Sequence, residues 1–164
     1  MNWAHWHLLL NHLPVIGTPF AIGLEAFAVW RKSDEMEKAS AGCFVAVALL
    51  TIPAYLTGCP AKRLVRGLPG VSQSFVHQHE NAALIAALAV WGLGSISLLA
   101  LFFSRRSRPM PRWFAPASLM AGIVAAGLMA WTANLGGQIR HTEIRSGASA
   151  AASAPAAQRK ASDE

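Results

Sequence analysis

ENAALIAALAVWGLGSISLLALFF, running from Glu80 to Phe103, carries no charged side chain after its first residue. A helix needs about 20 mostly apolar residues to cross the hydrocarbon core of a bilayer. In lipid the backbone must satisfy its own polar groups, which a helix does within one segment. The stretch therefore predicts a transmembrane helix. Three more of the same kind occur at Leu8–Trp30, Ser40–Gly58 and Trp113–Leu135, and most of the charged residues gather between them or beyond the last. The expected fold class is all-α, an integral membrane four-helix bundle. It occupies residues 1–145, with spans at about 8–30, 40–58, 80–103 and 113–135. The Ala/Ser-rich tail over 146–164 has the composition of a disordered segment.

With four spans, the six histidines all fall at one membrane face. His5, His7 and His12 lie at the entry of the first span, His77 and His79 just before the third, and His141 just after the fourth. Imidazole is the common nitrogen ligand for haem iron, copper and zinc. One interfacial histidine would simply meet water and headgroups. Six on one face point to a metal or haem site at that end of the bundle.

Charge sets the expected orientation. The face away from the histidines holds Arg31, Lys32, Lys38, Arg105, Arg106, Arg108 and Arg112; the histidine face holds Lys62, Arg63, Arg66, Arg140 and Arg145 near the spans. The positive-inside rule then puts the histidine face and both termini outside, which in a bacterial inner membrane is the periplasm. The net charge of +6 is carried largely by these loops. The expected partner is therefore the lipid bilayer and its headgroups, not nucleic acid. The start of the chain lacks a basic n-region, so the first span is expected to stay as a signal anchor.

The two cysteines, Cys43 and Cys59, stand at opposite ends of the second span. Sixteen helical residues separate them by about 24 Å, which excludes a disulfide. No C-x-x-C-H motif occurs, so covalent haem attachment is excluded. Hydrolase triads, P-loops and dinucleotide fingerprints are also absent.

Pro14 and Pro19 predict kinks in span one, with Pro14 a possible start of its regular helix. Gly58 and Pro60 read as a stop signal, and a short surface helix is expected in the connection 59–79. Gly122, Ala126 and Ala130 form a four-residue stripe of small residues suited to close packing in lipid. Asn134 and Gly136-Gly137 are read as the end of span four.

His5 and His12, seven residues apart, share a helix face with Ile16, Pro19 and Gly23. His79 stands above Ala82, Ala83 and Ala86. Imidazole over small side chains leaves room for a flat macrocycle, and a haem iron takes two axial ligands from facing helices. The leading ligand pair is His12 and His79, just inside the apolar boundary. His5 and His141 are the next candidates, for a second haem. His7 lies a net 140° around the helix from His12 and is expected to matter least. Lys62, Arg63, Arg66, Arg140 and Arg145 are candidate partners for haem propionates, or for headgroups. Trp3, Trp6, Tyr55 and Phe75 wall the site or form an aromatic belt. Glu80 either orients an imidazole such as that of His5 or His141, or serves the helix dipole. Glu25 is the one acidic residue well inside a span; it relays protons, pairs with a partner subunit, or reaches the far interface near Arg31.

The segments Asn11-His12-Leu13-Pro14-Val15-Ile16-Gly17, Tyr55-Leu56-Thr57-Gly58, His79-Glu80 and Gly136-Gly137-Gln138-Ile139-Arg140-His141 carry a resemblance. Over residues 5–145 the chain resembles a group of uncharacterised small bacterial four-span membrane proteins, from which no activity transfers. Where that group carries an acidic residue after Thr-Gly, this chain has Cys59. The layout is also similar to that of membrane cytochrome b subunits, a likeness of architecture.

The expected function is a membrane electron-transfer subunit with one or two non-covalent haem b groups. It would link quinol or quinone to a periplasmic, cytochrome c-like redox partner, as part of an oligomer or complex rather than as a free-standing enzyme. The alternatives are a histidine-rich copper or zinc membrane protein, and a cofactor-free accessory subunit of a larger respiratory or photosynthetic complex.

Overall fold

The computed structural model describes residues 1–105 and 108–145; the tail expected to be disordered, 146–164, lies outside them. Among the described residues every regular element is a helix. The elements are α1 (Trp3–Arg31), α2 (Asp34–Leu56), α3 (Gly58–Val65), α4 (Gln73–Phe103), α5 (Phe114–Arg140) and a 3-10 turn, Thr142–Ile144. Four helical segments are long and apolar enough to cross a membrane: α1, α2 with its continuation α3, α4 and α5. α1 packs on α2, α2 on α4, α4 on α5 and α5 on α1, which closes a four-helix ring; α3 lies against α1.

Every spanning helix outruns its apolar stretch. α1 begins at Trp3 rather than Leu8, because the Asn2 side chain accepts from the His5 N–H (3.0 Å) and caps it. It runs through Pro14 and Pro19, with Pro14 buried in its interior, so Pro14 does not start the regular helix. Neighbouring helices make such prolines tolerable in a span. α1 and α2 join through Lys32, in the left-handed region at φ 53°, and the N-cap Ser33. That cap starts α2 at Asp34, six residues before the apolar run, with Asp34, Glu35 and Glu37 in the first turn, where the helix dipole favours acids. α3 is the expected short helix, beginning at the Gly58 read as a stop.

The interior is built from small residues. Ala21, Ala28, Ala41, Ala82, Ala100 and Ala125 are fully buried, around the larger Phe44, Leu93, Val90 and Phe114. The outside is the reverse: Phe20, Trp30, Leu49, Leu98, Met120 and Ile123 are all exposed. In water such a surface would drive aggregation; in hydrocarbon it is the matching solvent. The protein is a multi-pass membrane bundle. Close approach is tightest at Gly94 of α4, where an added Cβ would lie 2.3 Å from the Ala48 Cβ of α2. On α5 the buried line is Ser118, Gly122, Ala125 and Met129, while Ala130 is exposed. The expected Gly122-Ala126-Ala130 stripe fails because four residues turn 400°, so strict four-residue steps drift off the contact face.

Candidate histidine site at one end of the bundle

α4 starts at Gln73, so His77 and His79 belong to its first two turns rather than to a loop. His79 leans into the bundle, half-buried, and its Nδ1 donates to the carbonyl of Thr132 on α5 (2.9 Å). That carbonyl is reachable because Gly136 stands one turn on. A Cβ there would lie 3.2 Å from His79 Cε1 and Nδ1. Gly136-Gly137 do not end the helix: α5 continues to Arg140, with His141 as its C-cap.

His7 is the second imidazole to turn inward. Its Nδ1 lies 3.0 Å from the carbonyl of Ala54 and 3.2 Å from Thr57 Oγ1, at the end of α2. Its ring meets Gly58, whose added Cβ would sit at ordinary contact distance, 3.5 Å from Cε1. The His7 and His79 ring centres are 6.5 Å apart, with planes at 86°. Thr57-Gly58, His79 and Gly136 thus meet at one place.

The two hydrogen bonds decide the chemistry of the pair. A carbonyl oxygen only accepts, so each Nδ1 carries its proton and each neutral ring keeps a lone pair on Nε2. Metal-ligating histidines are held this way, with the other ring nitrogen donating to a backbone carbonyl. Two imidazoles binding one metal from opposite sides, each at about 2.0 Å, have ring centres roughly 6 Å apart. The observed separation of 6.5 Å is of that size. Among the described residues, no group of three or more His, Cys, Asp or Glu side chains converges to hold a metal ion.

The other candidates stand apart from this pair. His12 is exposed, its Nδ1 bonded to Leu8 O of the preceding turn (2.5 Å). His5 is exposed as well. His141 is exposed and bonds Glu143 (2.8 Å); that contact and Glu143's own backbone N–H hold this carboxyl below its usual range. The face of α1 that carries His5 and His12 is therefore turned away from the interior of the bundle. Its buried line is Pro14, Thr18, Ala21, Glu25 and Ala28. Traced back seven residues from Pro14, that line reaches His7, a signal present in the sequence as small or polar residues at steps of three and four. The line Ile16, Pro19 and Gly23 below His12 lies outside it, and Ile16 is 66 % exposed.

Glu80 pairs with Lys62 of α3 (2.5 Å) and lies 3.8 Å from His77 Nδ1, so its partners are not His5 or His141. Arg140 donates to the Pro69 carbonyl (3.1 Å), and Arg145 to those of Gln138, Ile139 and Gly70, which ties the 66–72 loop to α5. Phe75 lies under Arg145, and Tyr55 packs edge-on against Trp91. Arg63 and Arg66 are exposed and line a cleft of 230 Å³ with Cys59, Lys62 and Glu80. Cys43 and Cys59 are both free thiols.

Gly136→Ala separates the positional role of this glycine from its helix propensity. Alanine is favoured over glycine in a helix by about 1 kcal/mol, so thermal stability is expected to stay level or rise slightly. The His79 ring must shift, however, and its Nδ1–H signal in an NMR spectrum is expected to move or broaden. Gly58→Ala, with its ordinary 3.5 Å contact, is expected to leave the His7 signal in place.

No known protein family, no curated protein and no solved structure matches the chain.

Proposed function

We propose that this protein is a b-type haem electron-transfer subunit of a membrane complex, in which His7 and His79 would hold one haem. The observation that carries the reading is a donor set of two imidazoles, each anchored through Nδ1 to a carbonyl, with no third donor grouped beside them among the described residues. A zinc site takes three or four protein ligands. Haem iron receives four nitrogens from its own macrocycle, so two imidazoles complete it.

The haem supplies one-electron redox chemistry. The protein's part is to fix two imidazoles in one tautomer, to exclude water by burying them half-way into the bundle, and to offer charge for the propionates. Arg63 and Arg66 suit that last role, since Lys62 already holds Glu80 and Arg140 is engaged with the loop. The His12–His79 pairing is replaced by His7–His79, because His12 is turned outward. The pair lies in the first turns of α1 and α4, near one end of the bundle, within reach of an aqueous redox partner of the cytochrome c kind and of a quinone in the bilayer. The excess of basic residues at the other end favours a periplasmic histidine face in a bacterial inner membrane. A reporter fused after Glu164 is expected to be active only when exported; activity of a cytoplasmic reporter at that point would reverse the orientation.

The test is a reduced-minus-oxidised visible spectrum of the purified protein. A low-spin b-type spectrum with acid-extractable haem is expected. Fully folded protein with no Soret band, or with stoichiometric copper or zinc in its place, would reject the proposal.

A further inference from the structure

At the end of the bundle opposite the histidines, the Glu25 carboxyl is fully buried between α1, α2 and α5. Its Oε2 is hydrogen-bonded with Ser40 Oγ of α2, and Ser118 of α5 faces the same group. Its Oε1 has no partner among the described residues. Ser40 and Ser118 are themselves fully buried.

Burial points to the state of this carboxyl. A serine hydroxyl has one hydrogen to give. That of Ser40 is shared between Glu25 Oε2 and the Glu37 carbonyl (2.9 Å), and that of Ser118 lies near the Ala115 carbonyl (3.1 Å). No cationic side chain pairs with Glu25 among the described residues, and its Oε1 is buried without a partner. A bare buried carboxylate oxygen costs far more than the carbonyl oxygen of a neutral acid, so the protonated form is the one this environment favours.

A cleft of 370 Å³ opens at the same end, lined by Lys32, Asp34 and Arg112 and by three residues that each stand one turn from the carboxyl site. Val29 is four residues after Glu25, Glu37 three before Ser40, and Ala115 three before Ser118. One turn is about 5.4 Å. Lys38, bound to Asp34 (2.5 Å), completes the charged groups around it.

We propose that Glu25 is a proton-binding site: a carboxylic acid at neutral pH that exchanges its proton with the aqueous phase through this cleft. The ligand is the proton, and the Glu25 carboxyl, hydrogen-bonded with Ser40, is the group that carries it.

The experiment is infrared spectroscopy of the full-length protein in vesicles at pH 7, where exposed carboxyls, with pKa values near 4, are ionised. A protonated-carboxyl stretch is expected in the wild type. It shifts on transfer to D2O and disappears in Glu25→Gln, which keeps the size of the side chain and removes the acid. Glu25→Asp keeps a carboxyl and is expected to retain a band at altered frequency, so the assignment survives a Gln variant that fails to fold. Absence of the band in folded wild type, or its persistence in folded Glu25→Gln, overturns the proposal. A band that stays unshifted after hours in D2O overturns the exchange route. None of these readouts depends on haem content.

Discussion

Replacing His79 or His7 by alanine is expected to abolish low-spin haem binding, while His12→Ala is expected to leave it intact. Removing a group that merely orients a metal ligand costs about 10–100-fold in affinity; losing the ligand itself should cost more than about 100-fold, so haem is lost on purification or left high-spin. Each variant should still insert, because a single histidine near a helix start barely changes the apolar content of its span. His12→Ala removes only an exposed ring bonded to its own helix. Surface changes of that kind usually stay within about 0.5 kcal/mol. Haem content and spin state measured for the three variants decide the matter. Normal low-spin spectra in both His7→Ala and His79→Ala would sink the ligand assignment, and loss in His12→Ala alone would restore the outward-facing histidine.

The second large effect is expected at Gly94→Val. The added Cβ would fall 2.3 Å from Ala48 Cβ, and a neighbouring contact is the Phe44 carbonyl, so backbone rather than a flexible side chain stands in the way. Overpacking costs about 1–3 kcal/mol when side chains can adjust. Here α2 and α4 must separate, and a loss of at least about 3 kcal/mol is expected. Because α2 carries Ala54 and Thr57, the displacement should also loosen the hold on His7. Gly42→Val is the control, since nothing lies within 4 Å of a Cβ at Gly42. Thermal or detergent-denaturant unfolding should separate the two widely. Equal stabilities would mean that the α2–α4 contact does not limit the fold.

Both predictions turn on which face of a helix is inside, and the sequence settles this only in part. The four spans, the all-helical class and the gathering of histidines at one end are legible directly. They depend on summed apolar content and on the order of segments, which local composition carries. The inward turn of His79 was legible too, because Ala82 and Ala86 continue its face and both are buried. That His7 rather than His12 turns inward was not. Judged by the apolar run, α1 begins at Leu8 and His12 is the histidine at its edge. The Asn2 cap moves the start to Trp3, which brings His7 inside the helix.

Packing then fixes the rotation of α1. Thr18, Ala21, Glu25 and Ala28 enter the bundle, and His7 follows them. Its partners, Ala54 and Thr57, lie 47 and 50 residues away in sequence, and Thr132 lies 53 from His79. Glu25 illustrates the same division. Its cost in lipid is visible in the sequence as a lone acid within an apolar run, whereas its burial and its contact with Ser40 are made by another helix. What the sequence determined alone was the number of spans and the end of the bundle where the histidines gather, because hydrophobicity acts residue by residue. Which imidazoles turn inward, which carbonyls hold them and what surrounds the buried acid were decided only by the tertiary structure, because helix rotation is a property of four surfaces fitting together.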